Sequence, residues 1–259
     1  MQDCASEPRK SVLFLFVLIL ILIVQLVDVE NLYSQHSNSS TIRYLGHSAF
    51  LITTSNGTRI ITDPAEFKGY KMPKGIEADI VTISHEHMDH NNTKSIKPDF
   101  ISLRGCTAGN QRVNLIDTTI NNIHIYNVPS FHDPGHHGFN SIFIYEFDNI
   151  RIAHLGDLGT PLSHDQVSAI GPVDVLLIPV GGQFTIPLSI ADSIVSQLCA
   201  GSTIIPMHYK TDAFPSLPNT AEDFLKGKTN VKITQQSTIK IPTESWKKHN
   251  MYFLLPYSN

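Results

Sequence analysis

The sequence predicts a layered α/β domain preceded by an N-terminal transmembrane helix. One apolar run near the N-terminus has no polar break, and from Thr41 onward short β-branched segments alternate with turn residues and with fewer helical stretches. No long linker, charge block or low-complexity tract divides the region after the run, so residues 41–259 read as one domain.

The elements follow in chain order. Residues 12–24, VLFLFVLILILIV, are apolar on every face, which excludes an amphipathic core helix. Arg9 and Lys10 precede the run while Asp28 and Glu30 follow it, placing the N-terminus in the cytoplasm and the rest outside. With residues 26–29 (LVDV) extending the apolar character, the length falls between a secretory core and a spanning helix, but residues 28–32 (DVENL) offer no small-residue cleavage site. Residues 1–30 therefore read as an uncleaved signal anchor, with secretion as the outcome if the segment is cut, and the polar residues 31–40 read as a linker. In an exported domain Asn38, Asn56 and Asn91 would be formal glycosylation acceptors, a common chance pattern. Strands are expected at 42–45, 49–53, 59–62, 79–84, 123–128, 141–147, 150–155, 173–180 and 203–207, and helices at 163–170, 187–199 and 221–226.

Composition narrows the function. With 41% hydrophobic and 16% charged residues, the 259-residue chain can bury a core and is no disordered polymer. Nineteen basic against 23 acidic residues give a net charge of −4, which offers nucleic acid no basic footprint. Three cysteines build neither a disulfide framework nor a four-cysteine zinc site, and Cys106 and Cys199 are open either to pairing or to remaining thiols. Thirteen histidines are a surplus that needs another account.

The account starts at Ser84-His85-Glu86-His87-Met88-Asp89-His90, directly after the apolar strand expected over 79–84. Imidazoles and a carboxylate packed this closely suit zinc and its neighbours. On extended chain His85 and His87 project to one side, while Asp89 and His90 come after a turn and can face a second ion. Three further candidates each follow or close a strand: His132, His154 with Asp157, and His208. A serine-hydrolase reading fails because no G-x-S-x-G is present.

With its H-x-H-x-D-H run followed by a distant His, Asp and His, the chain resembles the metallo-β-lactamase fold superfamily. Gly46-His47-Ser48-Ala49-Phe50-Leu51-Ile52, Thr62-Asp63-Pro64, residues 179–185 and Ile205-Pro206-Met207-His208-Tyr209 are most similar to its ascorbate-phosphate lactonase-like branch of metal-dependent hydrolases. The resemblance covers about residues 41–210. It implies an αββα sandwich with a two-metal site at one edge: His85, His87 and His132 on one ion, Asp89, His90 and His208 on the other, and Asp157 between them. The cofactors implied are two divalent ions, with zinc expected first and manganese or iron as alternatives. Leu158 departs from the branch, which usually has Thr after Gly-Asp.

Such a pair of ions supplies hydroxide at neutral pH and polarises a scissile carbonyl or phosphoryl group, and Asp89 is the residue expected to orient the water or take its proton. His47 and Asp63 are candidates for orienting the ligand imidazoles, although Asp63 before Pro64 equally suits a turn. The loop 134–140 puts His136, His137 and Asn140 within reach of substrate or leaves them solvated. Phe184-Thr185-Ile186 is expected to wall a pocket or to pack before the helix at 187–199, while Lys94 and Lys97 either attract an anionic substrate or sit solvated on a surface helix. The functional expectation is a membrane-anchored hydrolase of a lactone, ester or phosphoester-type bond in a small molecule. The alternatives are a phosphodiesterase acting on lipid or nucleotide, and a metal- or ligand-binding module without catalysis.

Overall fold

A computed structural model describes residues 39–242 and 249–255. The anchor expected over residues 1–30 and the linker up to residue 38 lie outside the described residues, among which no helix is long and apolar enough to cross a membrane.

The chain folds into two stacked sheets. Strands β1 (Ser40–Gly46), β2 (Ala49–Thr53), β3 (Arg59–Thr62), β6 (Ile80–Ile83), β7 (Ile101–Arg104) and β15 (Thr238–Ile241) form a six-stranded sheet in the order β15-β1-β2-β3-β6-β7. An eight-stranded sheet runs β14-β16-β13-β12-β11-β10-β9-β8. Its members are β8 (Asp117–Ile120), β9 (Ile123–Phe131), β10 (Phe139–Phe147), β11 (Ile150–His154), β12 (Val173–Pro179), β13 (Cys199–Met207), β14 (Val231–Ile233) and β16 (Met251–Leu254). Strands β6 and β12 pair in parallel with both neighbours and are almost wholly buried, which explains their near-continuous apolar sequences.

Alternation along the strands builds the interior. Ile42, Tyr44, Phe50, Ile52, Ile60 and Ile80 of the first sheet meet Ile125, Phe143, Tyr145, Ile152, Val175 and Leu177 of the second in one dry core. The opposite face of the eight-stranded sheet packs against α1 (His164–Ile170) and α2 (Leu188–Leu198), with Phe224 of α3 (Ala221–Leu225) in the same cluster. Reciprocal capping boxes, Ser163 with Gln166 and Thr220 with Asp223, start α1 and α3.

The outer face of the six-stranded sheet differs from the helical layer implied by resemblance. Leu45, Ile61, Val81 and Ile83 are covered there by Tyr70 and Met72, beside the two-stranded hairpin β4 (Glu66–Phe67) and β5 (Tyr70–Lys71), and by Ile96 next to a 3-10 turn at Thr93–Ser95. The surface helix expected around Lys94 and Lys97 is this single turn. Lys97 pairs with Glu77 at 2.6 Å, near the start of β6 and away from the histidine run that follows it.

Seven short strands were not anticipated from sequence: β4, β5, β7, β8, β14, β15 and β16. β14, β15 and β16 lie beyond the region of resemblance, yet they complete both sheets at the same side. Each is only three or four residues long, too short for a periodic signal to stand out.

Candidate metal centre

Strand direction gathers the polar residues. β3, β6, β9, β11 and β13 all end at one edge of the sandwich, and the residues just past those ends are Asp63, His85, His132, Asp157 and His208. His47 joins them from the turn between β1 and β2, where Gly46 (φ 111°) lets the Tyr70 ring occupy the space of a Cβ. His47 (φ 56°), Asp63 (φ 35°) and His208 (φ 48°) take left-handed backbone, costing on the order of 1–3 kcal/mol each.

The segment after β6 is locked from both sides. The Ser84 N–H and hydroxyl donate to Asp63 Oδ1 and Oδ2 at 2.7 and 2.6 Å, the Glu86 N–H donates to Asn110 Oδ1 at 2.6 Å, and Arg104 Nη1 donates to both Glu86 oxygens at 2.7 Å. The His90 N–H donates to His87 O at 3.0 Å, closing the turn that separates the first two histidines from Asp89 and His90.

Asp157 sits at the centre. Its Oδ2 lies 3.2 Å from His90 Nε2, 3.3 Å from His208 Nε2, 3.4 Å from His132 Nε2 and 3.7 Å from His85 Nε2. His85, His87 and His132 form one cluster of converging donor atoms, and Asp89, His90 and His208 form a second that also takes in His47. His85 Nε2 faces His87 Nδ1 at 3.0 Å, and His47 Nε2 faces Asp89 Oδ2 at 3.2 Å.

Partners on the far side of the rings fix their orientation. Ser84 Oγ spends its proton on Asp63, so it accepts from His85 Nδ1–H at 2.9 Å and leaves His85 Nε2 as a lone pair facing the cluster. His90 Nδ1–H donates to Asp63 Oδ2 at 2.9 Å, which aims His90 Nε2 inward. Asp63 therefore contacts His90 directly and His85 through Ser84, while also taking left-handed backbone. Asn140 departs from the expected loop role. It lies buried in β10, accepts from the Asp157 N–H at 3.0 Å and donates to Leu155 O and Ser130 Oγ, so it holds the Asp157 turn.

His136 stacks on Phe131 and His137 pairs with Asp133 at 2.9 Å; both are exposed and belong to neither donor cluster. His154 has a role the sequence reading left blank. Buried at the end of β11, its Nε2–H donates to Ser48 O at 2.9 Å and its Nδ1 accepts from the Gly156 N–H at 3.2 Å, tying the His47 turn to the Asp157 turn. Strand parity carries the signal, because Ile150, Ile152 and His154 share the face between the sheets. Leu158 is buried in the core beside the helices. Cys106 and Cys199 are free, and burial pushes their thiols up to about 11 and about 12.

Electrostatics match this geometry. Burial, reinforced by His208, lowers His47 to about 4, and burial drives His85 well below its ordinary value. Burial opposes charge at His90 and Asp157 as well, but the Asp157 and Asp89 carboxylates hold His90 protonated, while His208 and His90 hold Asp157 ionised. Even so, His90 Nε2, Asp157 Oδ1 and His208 Nδ1 are buried without a hydrogen bond. Uncompensated polar atoms at this density are costly. A cation among these nitrogen and carboxylate donors offsets that cost and displaces the His90 proton, so the residues present fit bound divalent metal.

Comparisons with known proteins agree with this geometry. A family model described as "Beta-lactamase superfamily domain" matches residues 41–208. A UPF0173 metal-dependent hydrolase of Thermococcus kodakarensis is 29% identical over 208 residues, covering 71% of this chain and 89% of its own. Another, of Archaeoglobus fulgidus, is 26% identical over 239 residues, covering 80% of this chain and 98% of its own. Among solved structures, a protein of Thermotoga maritima described as a Zn-dependent hydrolase of the metallo-β-lactamase superfamily superposes with a TM-score of 0.68 and 31% identity, over 83% of this chain and 98% of that one.

Proposed function

Since the chain belongs to the β-lactamase superfamily domain family and is a metal-dependent hydrolase of the metallo-β-lactamase superfamily, we propose that it works with two divalent ions on a lactone, ester or phosphoester-type bond of a small molecule. His85, His87 and His132 would hold one ion, and Asp89, His90 and His208, with His47 beside them, the other. The observation that carries this is the single Asp157 oxygen facing four imidazole nitrogens at 3.2–3.7 Å, the arrangement of a bridging ligand. Bound divalent metal acidifies water and polarises the scissile group, and zinc, manganese and iron all suit these donors.

The protein's own residues set up the rest. The Asp89 side chain is 22% exposed while His47, His90 and His208 of its own donor cluster are buried, so it is placed to meet solvent and substrate. Burial opposes its ionisation, but His90 and the contact with His47 keep it an anion, which suits it to orient the attacking water by accepting its hydrogen bond. Asp63, Ser84 and Asn140 hold the ligands in register, and His154 joins two of the ligand turns.

Elemental analysis of the purified chain is expected to give close to two metal ions per chain; one or none in a metal-replete preparation would remove the binuclear reading. Asp89→Ala is expected to lower turnover by about 10²–10⁴-fold while sparing the fold, measured on a panel of lactones, aryl esters and phosphodiesters. Retained turnover would take Asp89 out of the mechanism.

The apolar run at residues 12–24 supports a single-pass anchor with the N-terminus cytoplasmic and the hydrolase outside. Digestion of the hydrolase domain by protease added to intact cells is the expected result; protection would reverse the topology.

A further inference from the structure

Three loops that supply few ligands place phenyl rings around the second donor cluster. Phe67 of β4 lies 4.9 Å from the His47 ring, and Phe214, in the loop after β13, lies 5.4 Å from His47 and 5.9 Å from His208. Phe67 and Phe214 are 5.5 Å apart, and Phe184, between β12 and α2, extends the row by stacking on Phe214 at 6.4 Å and 9°. Neither Phe184 nor Phe214 belongs to any of the three core clusters, and Phe184 keeps 43% of its surface in water. Met88, between the ligands His87 and Asp89, is 73% exposed. Apolar surface displayed beside a reaction centre needs a reason that core packing does not give.

The row is held in place from below. Asn219 N–H donates to Gly181 O at 3.2 Å and Lys210 N–H donates to Asn219 O at 2.8 Å, so the Phe184 and Phe214 loops are laced together. Ile186, two residues past Phe184, is fully buried and its N–H donates to Leu158 O at 2.9 Å. Charge points the same way. Among the described residues the ion pairs at the two donor clusters are made by histidines and aspartates, and Arg104, beside the histidine segment, is taken up by Glu86, so no lysine or arginine is paired there to receive a phosphate.

We propose that Phe67, Phe184 and Phe214 form an acyl subsite beside the metal centre, so that the substrate is a carboxylic ester or lactone carrying an apolar acyl or aryl group. The proposal rests on the hydrolase reading above and narrows its substrate class. Each methylene seated on the rings strengthens binding by up to about fourfold.

The test uses the full chain loaded with zinc and two metal-chelating probes, acetohydroxamate and octanohydroxamate, with dissociation constants from calorimetry. Octanohydroxamate is expected to bind at least about tenfold tighter. Phe184→Ala, at an exposed position, is expected to erase most of that ratio without changing metal content or acetohydroxamate binding, and Phe184→Leu to restore much of it. Equal binding of the two probes, no binding of either, or a ratio untouched in Phe184→Ala would overturn the subsite. Ester turnover separates the two readings. Hydrolysis with no chain-length preference sinks the subsite alone, whereas chain-length-dependent probe binding without turnover of any ester sinks the hydrolase reading and leaves the subsite standing.

Discussion

The two edges of the sandwich carry similar residue types in opposite physical states. At the edge where β3, β6, β9, β11 and β13 end, Asp63, His85, His90, Asp157 and His208 are buried within hydrogen-bonding or ion-pairing distance of one another. Where these strands begin, Arg59 pairs with Asp79 and Glu77, Lys97 pairs with Glu77, and His124 lies between Asp117 and Glu146 with Arg151 on Glu146. That second set is solvated, with the Asp117 side chain 82% exposed. Buried groups without full partners ask for a ligand; exposed pairs need none and contribute little. Charge alone therefore does not mark a site, and the cost of burying it does.

The largest effect that would break this contrast is expected at Asp63. Asp63→Asn replaces an acceptor of three hydrogen bonds with a group that must present an amide to Ser84 or His90. Metal affinity is expected to fall about 10–100-fold, measured by competition with a chelator of known affinity. Wild-type affinity would mean that the buried edge does not depend on carboxylate-oriented imidazoles.

Next comes His154, which touches no proposed substrate or metal. His154→Gln is expected to cost about 1–3 kcal/mol in denaturant unfolding, since Ser48 O and the Gly156 N–H lose matched partners. Burial lowers the His154 pKa below 6.5, so the unfolded chain takes up this proton first. Its influence is a loss of stability as pH falls below 6.5, and the variant should flatten that limb of the wild-type profile. Parallel profiles would show that His154 is not held neutral.

The smallest effect belongs to the other edge and has the opposite sign. Hydrogen bonds to Glu146, then Asp117, raise the His124 pKa, so its contribution is complete below 6.5 and fades as pH rises through the folded value. His124→Gln is expected to change stability by less than about 1 kcal/mol, only on the acid side, and less at high salt. A larger or salt-independent loss would erase the distinction between the edges.

Much of the donor set was legible because ligands near in sequence share one strand end. His85, His87, Asp89 and His90 fall within six residues after an apolar run, and spacing there is enough to suggest metal. The long strands were legible for a related reason, since β6 and β12 are buried on both faces and write that burial as unbroken apolar sequence. His47 was expected only to orient ligands, yet its Nε2 converges with Asp89, His90 and His208. Asn140 was assigned to a mobile loop because its neighbours Gly135 and Gly138 obscure the start of β10. Of the aromatic row only Phe184 was anticipated, as one of two readings; Phe67 and Phe214 left no trace, because the three rings are separated in the chain and follow no period.

The sequence by itself determined the α/β fold class and the donor run His85, His87, Asp89 and His90 after an apolar strand, because periodicity and local spacing are short-range properties of the chain; His132, Asp157 and His208 were implied by the family resemblance. Only the tertiary structure decided that one Asp157 oxygen faces four imidazoles, that Ser84 and Asp63 set the ring orientations, and that Phe67, Phe184 and Phe214 form one row of rings beside His47. These depend on strand order and direction across two sheets, which bring together residues as distant in the chain as Phe67 and Phe214 and which no local pattern encodes.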